Sequence, residues 1–224
     1  MKLNAKAWLS LFVLVVAMGL LLFPPAGTFR YWQAWLYLSI FACASSLTTL
    51  YLMRRDPALL ARRMSGGPTA EKRATQKLIM LFVSVCFVAL LVVPALDRRF
   101  GWSRVPPVVV FLGDLLVAAG FYFILLVYRE NTYTSATIEV AEGQKVVSTG
   151  PYSVVRHPMY ASGSLYLAAT PLALGSYWGL LAFAAMLPFL IWRLLDEEQM
   201  LAGDLPGYRE YRRSVRYRLV PFVW

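Results

Sequence analysis

The chain has one histidine, two cysteines and only 12 acidic residues against 22 basic ones in 224 residues. Cys43 and Cys86 both lie inside apolar stretches without metal-ligand spacing, so neither a disulfide framework nor a zinc site finds support, and no metal site is expected. No small-residue cleavage site follows the apolar start. Lys2 and Lys6 precede a run ending at Phe23 that looks like a secretory signal. Pro24-Pro25-Ala26-Gly27 is a poor cleavage site, however, and the segment reads as an uncleaved first helix. The two halves share no interrupted helices at matching positions, which speaks against an inverted-repeat transporter.

What is abundant is apolar surface. Hydrophobic residues make up 59% of the chain and the mean hydropathy is +0.57, values that belong to polytopic membrane proteins. A net charge of +10 would suit a nucleic-acid binder, but the basic residues fall in blocks between apolar segments, so no nucleic-acid partner is expected. A hydrocarbon core about 30 Å thick needs roughly 20 apolar helical residues. Six segments come close: 7–23, 32–53, 78–96, 106–128, 158–174 and 177–195. The expectation is one all-α integral membrane domain over 1–224, a helical bundle with five to six transmembrane helices. The fifth segment is the short one, and a re-entrant helix there is the variant.

Placing the N-terminus inside puts all lysines and arginines except Arg30, Arg98, Arg99 and Arg104 on the cytoplasmic side. Both chain ends are then cytoplasmic, in a bacterial inner membrane or its equivalent. Tyr31-Trp32 and Tyr177-Trp178 fall at the outer interface as an aromatic belt. Gly175-Ser176 joins the last two segments into a helical hairpin. Residues 197–214 read as an interfacial amphipathic helix broken near Leu205-Pro206-Gly207. The basic loop 54–77, with Gly66-Gly67-Pro68, reads as a turn region facing anionic headgroups.

Two polar knots interrupt this pattern, Gly150 to Tyr160 and Arg193 to Glu198. A lone histidine at a helix start commonly caps or hydrogen-bonds locally. Pro158 after His157 suits the first position of a helix, whose free N–H groups can bind an anionic or carbonyl group. Tyr160 lies on the same helical face as His157. Glu197 and Glu198 taken alone are a solvated helix end, or the start of the amphipathic helix, and Arg193 four residues earlier can pair with Glu197. The hairpin changes this, because it brings His157 and Arg193 to Glu198 to one membrane side. Carboxylates, tyrosines and free N–H groups together suit a cationic, zwitterionic ligand with an aromatic ring.

Gln144 to Tyr152, Arg156-His157-Pro158-Met159-Tyr160, Arg193 to Leu201, Tyr208-Arg209-Glu210-Tyr211 and Leu219-Val220-Pro221 occur in this order. Together they resemble the isoprenylcysteine carboxyl methyltransferase family, which is related to the membrane phospholipid methyltransferases. The resemblance covers residues 131–221. It implies an integral-membrane methyltransferase that uses S-adenosyl-L-methionine at the cytoplasmic face, without a Rossmann domain. By the same resemblance Gln144, Lys145, Val146, Val147, Tyr152, His157, Pro158, Met159, Tyr160 and Glu197 contact the cofactor. Arg193 meets the acceptor's carboxylate. Gln144 stands where some members have histidine, and Leu205-Pro206-Gly207 replaces a Phe-Gly turn and is one residue shorter.

Residues 1–128 carry no such motif and are expected to form a lipidic substrate cavity. For a carboxylate acceptor Arg193 is the catalytic positioning group and no base is needed. For an amine, phenol or thiol, Glu198 or His157 is the candidate base. The expected acceptor is a lipophilic, isoprenylcysteine-like carboxylate. A phospholipid, amine or thiol acceptor is the alternative among enzymes, and a small transporter or scaffold the alternative outside them.

Overall fold

The computed structural model describes residues 3–66, 69–71 and 73–224. Lys2 and Lys72 of the orientation count, and Gly67-Pro68 of the inner loop, lie outside the described residues. Eight α-helices run in the order α1 (Leu3–Ala26), α2 (Trp32–Arg55), α3 (Pro57–Met64), α4 (Ala74–Phe100), α5 (Pro107–Glu130), α6 (Pro158–Ala173), α7 (Gly179–Asp204) and α8 (Tyr208–Ser214). A single 3₁₀ turn, Gly150–Ser153, precedes α6. There is no strand among the described residues, and the chain is an all-helical, multi-pass membrane protein.

Five helices, α1, α2, α4, α5 and α7, are long and apolar enough to cross a bilayer. Helix α6 has 16 residues, about 24 Å of helix at 1.5 Å per residue, and falls short of the hydrocarbon core. Its ends follow from sequence. Pro158 occupies the first position, where a missing N–H costs nothing, and Pro171 precedes the turn at Leu174-Gly175.

Helix α6 packs chiefly along α5, and α7 along α4, so the expected hairpin is splayed and each arm has another principal partner. Two glycines set the α5–α6 approach. A Cβ on Gly113 would stand 2.4 Å from the Ala173 backbone nitrogen, and one on Gly120 would stand 2.7 Å from Tyr166 Cβ. Gly113→Ala should therefore force the helices apart and cost about 1–3 kcal/mol, the usual range for overpacking. Thermal unfolding in detergent checks this, with Gly163→Ala, where a Cβ meets nothing within 4 Å, as the control.

At the end of the bundle that holds the α6–α7 turn, the helices are clamped by polar contacts. Asp97 at the end of α4 accepts from Ser176 Oγ at 2.5 Å and from the Ser103 amide at 2.6 Å, which ties α4 to the α6–α7 turn. Trp32, Tyr177 and Trp178 are exposed, as a belt requires, but Tyr31 is fully buried. Its hydroxyl donates to the Leu174 carbonyl at 2.6 Å. That buried carbonyl at the end of α6 needs a donor, and Tyr31 supplies it instead of facing lipid.

Two expectations at the inner end are corrected. The helix read as starting at Glu197 does not start there. Helix α7 continues to Asp204, because nothing between Arg193 and Asp204 breaks it and its charged side chains find partners. Only α8 is separate. The inner loop 54–77 is more than a headgroup-facing turn. Asp56 caps α3 by accepting from the Leu59 amide at 2.8 Å. Arg63 of α3 donates to the Ser135 carbonyl at 2.6 Å, and Arg62 donates to the Thr132 carbonyl.

Candidate active site

At the end of the bundle where α6 begins, a cavity of about 340 Å³ lies between loop 131–147, the N-terminus of α6, the C-terminal part of α7 and α8. This falls within the size range of small-molecule sites. Gln144, Lys145, Val146, Val147, Tyr152, His157, Pro158, Met159, Tyr160, Arg193 and Glu197 all line it. Glu198 does not. Neighbouring residues on a helix point about 100° apart, so Glu197 facing the cavity turns Glu198 away from it.

Each wall is built by a short-range rule and closed by a long-range contact. The 3₁₀ turn delivers Tyr152, whose hydroxyl accepts from Asn131 Nδ2 at 2.9 Å and whose carbonyl accepts from Tyr211 Oη at 2.7 Å. Gly207, at φ +83°, makes the left-handed turn that starts α8. Tyr208 and Tyr211 then pack with Val127, Leu205 and Val215 in one apolar cluster, against which Val146 and Val147 are laid. Burial raises the phenols of Tyr152, Tyr208 and Tyr211 above their ordinary value, so all three keep their protons.

His157 is held by its backbone: its amide donates to the Arg218 carbonyl at 3.0 Å, as the Arg156 amide does to Tyr217 at 2.9 Å. The C-terminal segment is thus a strap across the start of α6. Glu198 anchors it from α7. Its Oε1 accepts from Arg156 Nε at 2.6 Å and its Oε2 from Arg218 Nε at 2.9 Å. Arg156 Nη1 donates further to the carbonyls of Val215 and Arg216. His157 Nε2 is 3.7 Å from Glu198 Oε1, too far for a hydrogen bond.

The expected ion pair between Arg193 and Glu197 is absent. Glu197 accepts from Tyr160 Oη at 2.6 Å. Arg193 instead donates from Nη2 to Glu71 Oε1 at 2.7 Å and from Nη1 to Gln76 Oε1 at 2.8 Å. Glu71 is within the loop before α4 and Gln76 at the start of α4, so these partners come from the half of the chain that carries no motif. The cavity also recruits Tyr133 to Thr137 and Glu139, Arg63, Met80 and Val83. Little in the sequence marks them, apart from the basic pair Arg62-Arg63 that holds their loop.

Two buried polar atoms of the wall, His157 Nε2 and Tyr208 Oη, have no hydrogen-bond partner. Such atoms cost free energy unless a ligand or water meets them. A half-buried carboxylate, two orphaned polar atoms and the rings of Tyr152, Tyr160 and Tyr208 fit a ligand with a cationic centre, hydrogen-bonding groups and a flat ring. No group of three or more histidine, cysteine, aspartate or glutamate side chains that could hold a metal occurs among the described residues.

A second cavity of about 320 Å³ runs between α4, α6 and α7 and is lined by Val83, Ser84, Phe87, Val88, Tyr166, Leu167 and Met186. Val83, Tyr166 and Leu167 line both cavities. An almost wholly apolar cavity at membrane depth therefore adjoins the first.

Known proteins resemble parts of this sequence. The chain is 29% identical over 161 residues to the cobalt-zinc-cadmium resistance protein CzcN of Cupriavidus metallidurans, which covers 70% of this chain and 67% of that protein. It is 32% identical over 93 residues to the delta(14)-sterol reductase TM7SF2 of Mus musculus, 39% of this chain but only 22% of that protein. Residues 108–204 match phospholipid methyltransferase, a stretch that contains the polar island, α6 and all of α7. Over that stretch the chain is similar to the phospholipid methyltransferase family, which includes the isoprenylcysteine carboxyl methyltransferases.

Proposed function

We propose that the protein is an S-adenosylmethionine-dependent methyltransferase acting at the cytoplasmic membrane face on a carboxylate of a lipophilic, isoprenylcysteine-like acceptor. The observation that carries this reading is the adjacency of a polar cavity and an apolar one, both lined by Val83, Tyr166 and Leu167. One end suits a polar donor and the other a hydrocarbon chain from the bilayer. The match of residues 108–204 to the phospholipid methyltransferase family supports methyl transfer.

S-adenosylmethionine bound there would supply an electrophilic methyl group on a sulfonium. Glu197 would take its ammonium group, the α6 N-terminus at Pro158 to Tyr160 its carboxylate, and His157 Nε2 and Tyr208 Oη its remaining polar groups. The valines and tyrosines packed under α8 exclude water. Arg193, on the same wall, would hold the acceptor. With a carboxylate no proton has to leave, and the chain then needs no general base. Of the two candidate bases for other acceptors, Glu198 is saturated by Arg156 and Arg218 and faces away from the cavity, and His157 is taken up by the cofactor in this reading. This favours the carboxylate over an amine or thiol.

The test is a calorimetric titration of the full chain in lipid nanodiscs with S-adenosylmethionine and, separately, with a reduced nicotinamide dinucleotide. A methyltransferase binds the first with a micromolar constant, order of magnitude about −8 kcal/mol. Binding of the dinucleotide alone would point to the sterol reductase's kind of chemistry and end this reading. Labelled methyl should then enter S-prenylated N-acetylcysteine as a base-labile ester. Label in aminophospholipids or thiols alone would move the acceptor, though not the reaction class.

A further inference from the structure

We propose that Glu71 is a positioning residue that prevents Arg193 from gripping the acceptor's carboxylate by both oxygens, so that one oxygen stays free to react. This rests on the carboxylate reading above. A guanidinium carries five N–H groups in a rigid plane. Here Nη2 spends both of its own, on Glu71 Oε1 at 2.7 Å and on the Ala136 carbonyl at 3.0 Å. Nη1 spends one on Gln76 Oε1 at 2.8 Å.

A carboxylate can be forked only along an edge where two N–H groups run parallel, and both such edges of a guanidinium include Nη2, paired with Nε on one and with Nη1 on the other. With Nη2 saturated, the N–H of Nε and the second N–H of Nη1 point to different sides. Each can give an incoming carboxylate a single hydrogen bond.

The arrangement is built rather than incidental. Arg193 is 8%, Glu71 4% and Gln76 1% exposed, and Gln76 is itself fixed by donating Nε2 to Asp196 Oδ2 at 2.5 Å. Arg193 lines the cavity and Glu71 is behind it, outside the wall. Glu71 therefore acts through Arg193 and not on the acceptor.

The chemistry explains why a single-pronged hold would be useful. In the transfer, a carboxylate oxygen forms the new C–O bond while the donor's methyl C–S bond breaks. The electron pair of that bond goes to sulfur, which leaves a methyl ester and a neutral thioether. No proton or oxidant is involved. A fork stabilises both oxygens of the ground-state anion, and binding of that kind lowers KM without speeding the reaction. One hydrogen bond orients the carboxylate and leaves the second oxygen its lone pairs.

The experiment compares steady-state methylation of S-prenylated N-acetylcysteine by the full chain and two variants in nanodiscs. Glu71→Ala opens a fork edge, so KM for the acceptor should fall by about threefold or more while kcat falls by about tenfold, a split that marks ground-state binding. Glu71→Gln keeps an oxygen on Nη2, so its kcat should stay within about twofold of wild type although the lost charge also lowers KM. S-adenosylmethionine affinity should be unchanged in both. A raised or unchanged KM in Glu71→Ala overturns the proposal, as does an equal loss of kcat in both variants. Loss of cofactor binding would reduce Glu71 to a folding role and overturn it too. A wild-type chain that methylates only amines or thiols refutes the carboxylate reading first, and this inference with it.

Discussion

Glu198→Ala should lower the stability of the protein by about 3–5 kcal/mol, the range seen when one partner of a buried ion pair is removed. The carboxylate is 3% exposed and holds Arg156 and Arg218 at once. Without it, the Arg156 guanidinium, also buried, keeps only carbonyl partners, and the strap 215–218 loses its tie to α7. The start of α6 then loses the contact that sets His157, so cofactor affinity should fall in parallel with melting temperature. Thermal unfolding with and without S-adenosylmethionine measures both. The same experiment separates an anchor from a base. An anchor gives a large drop in melting temperature and an unchanged shape of the pH–rate profile. A base gives an unchanged melting temperature and a profile that loses its acid limb.

Glu197→Gln should show the opposite signature, a large loss of cofactor affinity with little loss of stability. Its neighbour in sequence is locked in an ion-pair network, but among the described residues Glu197 accepts a hydrogen bond only from the Tyr160 hydroxyl, which an amide oxygen can also accept. Hydrogen bonds to a charged group contribute about 1.5–3 kcal/mol, so removing the charge should weaken S-adenosylmethionine binding by about 10- to 100-fold. Tyr160→Phe removes one neutral donor and should cost about tenfold or less. Calorimetry on matched preparations measures the three constants. Unchanged affinity in Glu197→Gln would remove Glu197 from the site, and would leave the α6 N-terminus and the tyrosines as the remaining candidates.

The contrast between these two adjacent glutamates shows where sequence reasoning reached its end. Both were legible as a polar knot at the inner end of a long apolar helix, and the motif order tied that knot to His157. Their division of labour was not legible, because it depends on the rotation of α7 about its axis. Reading the helix as beginning afresh at Glu197 hid the fact that the two side chains point about 100° apart. Arg193 was found for the same reason as Glu197, but the pairing of the two was misread for another. Spacing of four residues says that two groups can meet, but the competing partner, Glu71, comes from 122 residues away. The loop 54–77 failed in the same way, since its basic residues looked like headgroup contacts until Arg62 and Arg63 were seen to hold the wall of the cavity.

Composition and patterning by themselves determined that the chain crosses a membrane several times as helices. Lipid offers no partners to backbone groups, so each apolar run of sufficient length must satisfy its own. Local chemistry determined helix starts such as Pro158 and the residues gathered in the polar island, because these depend on neighbours in the chain. Only the tertiary structure decided that α6 lies along α5 and α7 along α4, that the strap 215–218 fixes His157 through Glu198, and that Glu71 sits behind Arg193. Those contacts join distant segments through single hydrogen bonds and close backbone approaches, and neither periodicity nor spacing records which distant partner a buried charge will take.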